Sequence, residues 1–66
     1  MKYYKHTGGH NEIYKVYPDN TYEWYDILFN QRWIRGTYST GWLDFHELHK
    51  TILIEISKEE AFIEIL

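Results

Sequence analysis

Four histidines come in two closely spaced pairs, and paired imidazoles are common ligands of zinc and related metals. The pairs are His6 with His10 and His46 with His49. The second pair is one residue short of the HExxH motif, in which two histidines one helical turn apart hold zinc beside a catalytic glutamate. Half-exposed histidines are also ordinary surface residues. We therefore predict no metal ion and no cofactor.

Acid and base catalysis would need a pair of carboxylates, and the candidates are Glu23, Asp26, Asp44 and Glu47. None of them lies in a recognisable catalytic motif, and no serine or threonine has the sequence context of an activated nucleophile. A chain of 66 residues also leaves little room for the concave pocket of about 300 Å³ or more that small-molecule sites usually have. We predict that the protein is not an enzyme and has no catalytic residues.

Aromatic side chains are the most unusual feature of the composition. Seven Tyr, three Trp and three Phe make up 20% of the chain. A small domain buries only about 60% of the surface that its unfolded chain exposes, so several rings should stay accessible. Tyr, Trp and Arg dominate the binding hot spots of protein interfaces. The leading prediction is therefore a non-enzymatic protein-binding module.

Two other functions also use exposed rings. Single-stranded nucleic acid stacks its bases on aromatic side chains, but seven basic residues against ten acidic ones disfavour this partner. Self-association is the second alternative, either as a homodimer or as a self-assembling structural protein. An exposed aromatic face or edge strand is also a dimer interface.

Length and composition limit the organisation of the chain. With 44% hydrophobic and 26% charged residues, residues 1–66 are expected to form a single small domain. The chain has no cysteine, so disulfides do not stabilise it. No run approaches the roughly 20 apolar residues of a membrane span, and the first residues lack the apolar stretch of a signal peptide. The expected location is the cytoplasm, without contact to a membrane.

The clearest structural signal is a β-hairpin around the Pro-Asp-Asn segment that ends at Asn20. A three-residue loop with Asn20 in the left-handed conformation predicts a register that pairs Val16 with Tyr22 and Ile13 with Tyr25. In this register, side chains alternate between the two faces of the hairpin.

One hairpin face is predicted to be the core and the other to face solvent or a partner. We expect a partner to contact the second face through Ile13, Tyr17 and Tyr25, together with Arg35 of the next strand. The predicted core face carries four apolar or aromatic side chains, which are Tyr14, Val16, Tyr22 and Trp24.

The segments outside the hairpin predict further strands and two helical elements. A first strand covers Lys2–His6, and a strand after the hairpin covers residues 32–38. Pairing of this strand with the hairpin is expected to place Asp26 near Arg35, unless a bulge at Gly36 shifts the register. Residues 44–47 resemble a capping box that opens a short helical turn over residues 44–50, before a strand over residues 51–56.

The last ten residues allow two structures. Ser57 opens a second capping box, which favours a C-terminal helix with Phe62, Ile65 and Leu66 on its apolar face. Residues 62–66 also fit a hairpin strand. The predicted fold is a small α+β domain with an antiparallel sheet of about four strands, a short helical turn and a C-terminal helix. An all-β, SH3-like small barrel is the alternative.

Three segments of the chain carry a resemblance. KYYKH, IYKVYPDNTYEWYD and ISKEEAFIEIL together resemble short uncharacterised proteins of Gram-positive bacteria and their phages. Many small phage proteins of this kind bind and block one host protein, so the resemblance implies an inhibitor that occludes a surface of its target. It assigns no functional residue.

Overall fold

Five antiparallel strands form one sheet, and one helix follows each of the last two strands. The computed structural model describes residues 1–9, 11–38 and 40–66. The described part of the chain has no helix that is long and apolar enough to cross a membrane. The elements are β1 (Lys2–His6), β2 (Glu12–Val16), β3 (Tyr22–Asp26), β4 (Trp33–Arg35), α1 (Trp42–His49), β5 (Leu53–Ile56) and α2 (Lys58–Ile65).

The strand order across the sheet is β4-β3-β2-β1-β5. This architecture confirms the predicted α+β class with a C-terminal helix, and the all-β alternative is wrong. The five strands lie in the five segments predicted to be strands, which is one more than the approximate count of four, and β5 joins the sheet as an edge strand beside β1.

β2 and β3 form a hairpin in the predicted register. The Tyr17 amide donates to the Thr21 carbonyl at 2.9 Å, and the Asp19 carboxylate accepts the Thr21 amide at 3.1 Å. Asn20 has a φ of 73°, which is the left-handed conformation predicted for it. The chemistry of the loop therefore sets the register of the two strands.

One face of the sheet packs against α1. The Trp42 ring of α1 lies 5.3 Å from the Tyr22 ring and 4.9 Å from the Tyr4 ring, measured between centroids. This confirms the predicted core face of the hairpin. The buried side chains are Tyr4, Tyr14, Tyr22, Trp42 and Leu53, with Val16, Trp24, Phe45 and Ile52 packed around them.

The opposite face is covered in part by α2. Ala61 of this helix is fully buried and packs with Tyr3 and Ile13. The prediction that Ile13 faces solvent or a partner is therefore wrong. An amphipathic C-terminal helix must bury its apolar side against some part of the sheet, and α1 already occupies the other face.

α2 begins at the predicted capping box. Ser57 Oγ accepts the Glu60 amide at 3.0 Å, so the C-terminal segment is a helix and the strand alternative is wrong. The apolar face of the helix is only partly the predicted one. Ile65 packs against the buried cluster, whereas Phe62 is 41% exposed and Leu66 is fully exposed.

α1 does not begin at the predicted capping box. It begins at Trp42, two residues before Asp44, and Gly41 occupies the N-cap position without a side-chain hydrogen bond. The cap comes from the hairpin loop instead. The Asn20 carbonyl accepts the Trp42 amide at 2.8 Å, and Asn20 Oδ1 accepts the Leu43 amide at 2.8 Å. Asn20 thus joins the hairpin to the helix.

β4 pairs with β3 in a register other than the predicted one. Arg35 lies across from Glu23, and Trp33 lies across from Tyr25. The expected pairing of Asp26 with Arg35 is therefore wrong. The Asp26 carboxylate instead accepts two amides of the following loop, at 3.1 and 3.0 Å. This turn makes the loop longer than a tight two-residue turn and shifts β4 along β3.

Candidate functional site

α2 leaves part of its own sheet face uncovered. The helix packs mainly on β1 and β2. On this face of the sheet, the side chains at the end of β2 and those of β3 and β4 therefore stay partly or fully exposed. The strand registers place these side chains next to one another. We call this surface the open half-face, and it consists of Lys15, Tyr17, Glu23, Tyr25, Trp33 and Arg35.

Two neighbours hold Trp33 in place within the open half-face. Lys15 Nζ lies 4.2 Å from the centroid of the Trp33 ring, which is the geometry of a cation–π contact. The Tyr25 ring meets Trp33 edge-on, with centroids 5.4 Å apart. Both rings also pack against the buried cluster beneath α2, so their positions are fixed by the fold.

Glu23 connects two other members of the open half-face. Its carboxylate accepts the Tyr17 hydroxyl at 2.5 Å and lies 3.9 Å from Lys15 Nζ. The hydrogen bond to Glu23 raises the pKa of Tyr17, because only the neutral phenol can donate it. The negative charge of Glu23 is therefore engaged within the protein and is not left for a ligand.

Arg35 is the exposed cation of this surface. Within the described residues its guanidinium makes neither a hydrogen bond nor an ion pair. The pKa of the nearby Asp19 carboxyl is lowered chiefly by hydrogen bonds from Thr21, and only to a smaller extent by the charge of Arg35. The guanidinium donors of Arg35 are thus available to an acceptor on another molecule.

Two open depressions flank Arg35 at the loop end of the hairpin. One has a volume of about 470 Å³ and includes Tyr17, Pro18 and Glu23 in its wall. The second has a volume of about 330 Å³ and includes Tyr38. The prediction that the domain lacks room for such concavities is therefore wrong. Because both are open to solvent, they fit a side chain protruding from a macromolecule better than an enclosed small molecule.

The structure brings three of the four predicted partner contacts together on one surface. Tyr17, Tyr25 and Arg35 belong to the open half-face, with Tyr25 half-buried and Arg35 exposed. Ile13 is excluded, because α2 covers it completely. The prediction of contacts omitted Trp33, which the register of β4 places directly across from Tyr25.

Two histidines from different predicted pairs meet at another depression, on the α1 side of the sheet. His6 and His49 line a space of about 220 Å³ together with Glu12. A ring nitrogen of His49 lies 2.8 Å from the Phe45 carbonyl oxygen. His10 lies outside the described residues. Among the residues that are described, no group of three or more His, Cys, Asp or Glu side chains is placed to hold a metal ion.

Tyr14 lines the same depression, and its titration predicts that the stability of the fold depends on pH. Burial raises the pKa of Tyr14, and its hydrogen bond to Glu12 at 2.7 Å raises it further. Burial also raises the pKa of Tyr22. The folded protein therefore holds these protons more tightly than the unfolded chain, whose tyrosines titrate near pH 10. These two groups should therefore leave the free energy of unfolding unchanged below about pH 10, and they should lower it as the pH rises above that value.

Urea unfolding measured at a series of pH values from about 8 to 11 tests this expectation. The Tyr14→Phe variant should lose stability less steeply above pH 10 than the wild-type protein, because one of the tightly held protons is absent. An equally steep loss in the variant would contradict the assignment to Tyr14.

Comparison with known proteins assigns no family to the chain. No protein-family model and no solved structure matches it. A curated protein with partial similarity is the pesticidal crystal protein Cry9Aa of Bacillus thuringiensis subsp. galleriae, which is 33% identical over 45 residues, or 68% of this chain. The chain spans 4% of the length of that protein. What Cry9Aa does is therefore not transferred to the chain.

Proposed function

We propose that the protein is a non-enzymatic protein-binding module and that the open half-face is its contact surface. The observation that carries the proposal is an exposed Arg35 whose guanidinium makes neither a hydrogen bond nor an ion pair within the described residues, beside rings that the fold already holds in place. Arginine and large aromatic residues contribute most of the binding free energy at protein interfaces.

The order of the open half-face supports this role. Trp33 is fixed by Lys15 and Tyr25, and Tyr17 is fixed by Glu23. Side chains that are ordered before binding lose less conformational entropy when a partner covers them. The two depressions beside Arg35 provide space for partner side chains, so the surface combines anchors with cavities.

Inhibition is the form of this function that we favour. A small module bound through one sheet face occludes the surface of its target that it covers, and it needs no catalytic residue to do so. A phage-type inhibitor of a host protein, as the resemblance implies, would act in this way in the cytoplasm.

Nucleic-acid binding is the second candidate, because the same surface carries three rings and two cations. Two contacts count against it. Lys15 Nζ covers the Trp33 ring at 4.2 Å, where a base would have to stack, and the Glu23 carboxylate lies between Lys15 and Tyr17. A phosphate could therefore reach Lys15 only by displacing the Glu23 carboxylate from it, and Lys15 is one of the few cations that a nucleic-acid backbone could use here.

Affinity capture from a lysate of the source organism, with and without nuclease, separates the two candidates. A stoichiometric protein that stays bound after nuclease treatment supports the proposal. Capture that disappears with nuclease supports nucleic-acid binding. Absence of any partner, together with self-association of the purified chain, would support the structural alternative.

The Tyr17→Ala/Arg35→Ala double variant is expected to bind the captured protein at least about tenfold more weakly, because both anchors of the open half-face are lost. Surface plasmon resonance or calorimetry measures this affinity. Leu43→Ala/Leu48→Ala is the matched control, since both leucines are exposed on α1 at the other side of the sheet. If the control variant weakens binding as much as the double variant, the surface is wrongly assigned.

A further inference from the structure

β4 is an edge strand whose outward backbone groups can be identified. The Gly36 amide donates to the Tyr22 carbonyl at 2.8 Å, which marks these two residues as a hydrogen-bonded pair. Antiparallel strands alternate hydrogen-bonded pairs with non-hydrogen-bonded pairs. The next pair, Glu23 with Arg35, is therefore non-hydrogen-bonded, and Trp33 shares this state because it lies two residues further along β4.

The amides and carbonyls of Trp33 and Arg35 consequently point away from β3. β4 is the terminal strand of the sheet in the described structure, so these groups face an open edge. Another extended chain can accept and donate hydrogen bonds there, which is the way in which many domains bind peptides. The side chains of Trp33 and Arg35 both belong to the open half-face, so the edge and the proposed contact surface are continuous.

The chain segment that contains β4 is basic, and of the two acids near Arg35, Glu23 is already bound to Tyr17 and Lys15 and Asp19 is hydrogen-bonded to Thr21. Between Asp26 and Asp44 the chain carries Arg32 and Arg35 and no acidic residue, although its net charge is −3. Neither arginine makes a hydrogen bond or an ion pair within the described residues. Arg35 of β4 and Arg32, which directly precedes the strand, are complementary to carboxylates, which guanidinium groups bind in bidentate fashion.

The opposite edge of the sheet has a different character. β5 carries Glu55 and the half-exposed Ile54. The Thr7 amide donates to the Ile52 carbonyl at 2.7 Å, and the same alternation directs the Glu55 amide outward, away from β1. An acidic segment is repelled by Glu55 at this edge and attracted by the arginines at β4. The two edges therefore serve as a matched pair for a test.

We propose that β4 binds an extended acidic segment of the partner protein as a sixth strand of the sheet. The partner residue opposite Arg35 carries a carboxylate, and the residue opposite Trp33 is apolar. Residues directly opposite each other share a face of a sheet, so both partner side chains lie against the open half-face. This inference rests on the proposed function and specifies how the partner is recognised.

The first test uses capped peptides in which threonine alternates with glutamate and valine, titrated into the ¹⁵N-labelled protein. The amides of Trp33 and Arg35 are expected to shift and to gain protection from hydrogen exchange. The peptide with lysine in place of glutamate should bind at least about tenfold more weakly, and backbone N-methylation of the acidic peptide should abolish binding. No shift at millimolar peptide, or equal binding of the lysine peptide, would overturn the proposal.

The second test separates the backbone from the charge of Arg35. Arg35→Ala removes the guanidinium, and Arg35→Pro removes both the guanidinium and the outward amide without deleting a bond to β3. Arg35→Pro should therefore bind the acidic peptide at least several-fold more weakly than Arg35→Ala. Glu55→Pro, which removes the corresponding amide of β5, should bind like the wild-type protein. Equal binding by the two Arg35 variants, or a loss in Glu55→Pro, would contradict strand addition at β4.

The two proposals can fail separately. If the intact protein captures no protein partner, the proposed function fails. If it captures one, but Arg35→Pro holds that partner as well as Arg35→Ala and the acidic peptide does not bind, only the strand addition is wrong. The chain could also dimerise without peptide, and both Arg35→Pro and Glu55→Pro could abolish the dimer equally. That result would show that β4 pairs with β5 of a second copy, and it would overturn the proposal that β4 binds an acidic segment.

Discussion

Replacement of Trp42 by alanine is expected to leave the domain largely unfolded at 25 °C. Trp42 is only 4% exposed, and its ring contacts Tyr4, Tyr14 and Tyr22 of three neighbouring strands at centroid distances of 4.9, 5.5 and 5.3 Å. It is therefore the side chain through which α1 packs on the sheet. Truncation of a buried tryptophan to alanine costs about 3–5 kcal/mol.

That loss is comparable with the whole stability of so small a domain. At about 0.05–0.15 kcal/mol per residue, a chain of this length has roughly 3–10 kcal/mol, and there is no disulfide to add to it. Circular dichroism and urea unfolding measure the effect. The control is Leu43→Ala on the same helix, whose leucine is 70% exposed and whose loss should change stability by less than about 0.5 kcal/mol. A cooperative transition in Trp42→Ala with a loss below about 1 kcal/mol would contradict the role assigned to the ring.

The parts of the fold that sequence predicts well are those determined within a few residues. The hairpin register follows from the loop that ends at Asn20, where a left-handed residue, a turn-forming aspartate and proline coincide. The start of α2 follows from the hydrogen bond between Ser57 and Glu60, which are three residues apart. In both cases the residues that decide the structure are neighbours in the chain.

The parts that sequence does not predict depend on distant contacts. Asn20 caps α1 from more than twenty residues away, so the acid at Asp44 gave a misleading local signal. Ile13 has the same alternation as its neighbours, and nothing near it in the chain indicates that Ala61 will cover it. Which face of a sheet a later helix occupies is a tertiary choice, and alternation alone leaves it open.

The candidate site was predictable only in part, because some of its residues are placed by local signals and others by distant contacts. Tyr17 and Tyr25 share a face because the hairpin register is local, whereas Trp33 depends on the register of β4. A signal for that register was present in the sequence. A register with Glu23 across from Arg35 sets residues of opposite charge on neighbouring strands, although their side chains form no ion pair among the described residues. The same register would have placed Trp33 across from Tyr25, as observed.

Replacement of Gly36 by alanine is the second large effect that we expect, with a loss of stability toward the upper end of about 1–3 kcal/mol. A Cβ atom at Gly36 would lie 2.2 Å from Cζ of Tyr22 and within 2.6 Å of two further atoms of that ring. The Tyr22 ring is only 5% exposed. Its centroid lies 5.3 Å from that of Trp42 and 5.1 Å from that of Phe45, so a shift of the ring away from Gly36 disturbs its packing on these two rings.

The strain therefore displaces the Tyr22 ring from this packing or shifts the backbone of the strand edge. Gly36 donates its amide to Tyr22 at 2.8 Å, and a displacement of the chain there weakens the ladder between β3 and β4. Thermal and urea unfolding compare Gly36→Ala with Thr37→Ala, the exposed neighbouring position, which should be nearly neutral. In a Tyr22→Leu background, which lacks the far edge of the ring, Gly36→Ala should lower the free energy of unfolding clearly less. An equal loss in both backgrounds would show that the close packing of Tyr22 on Gly36 is not its cause.

Because β4 also carries Trp33 and Arg35, Gly36→Ala should weaken partner binding as well as folding. A variant that loses stability while keeping full affinity would place the binding surface away from β4.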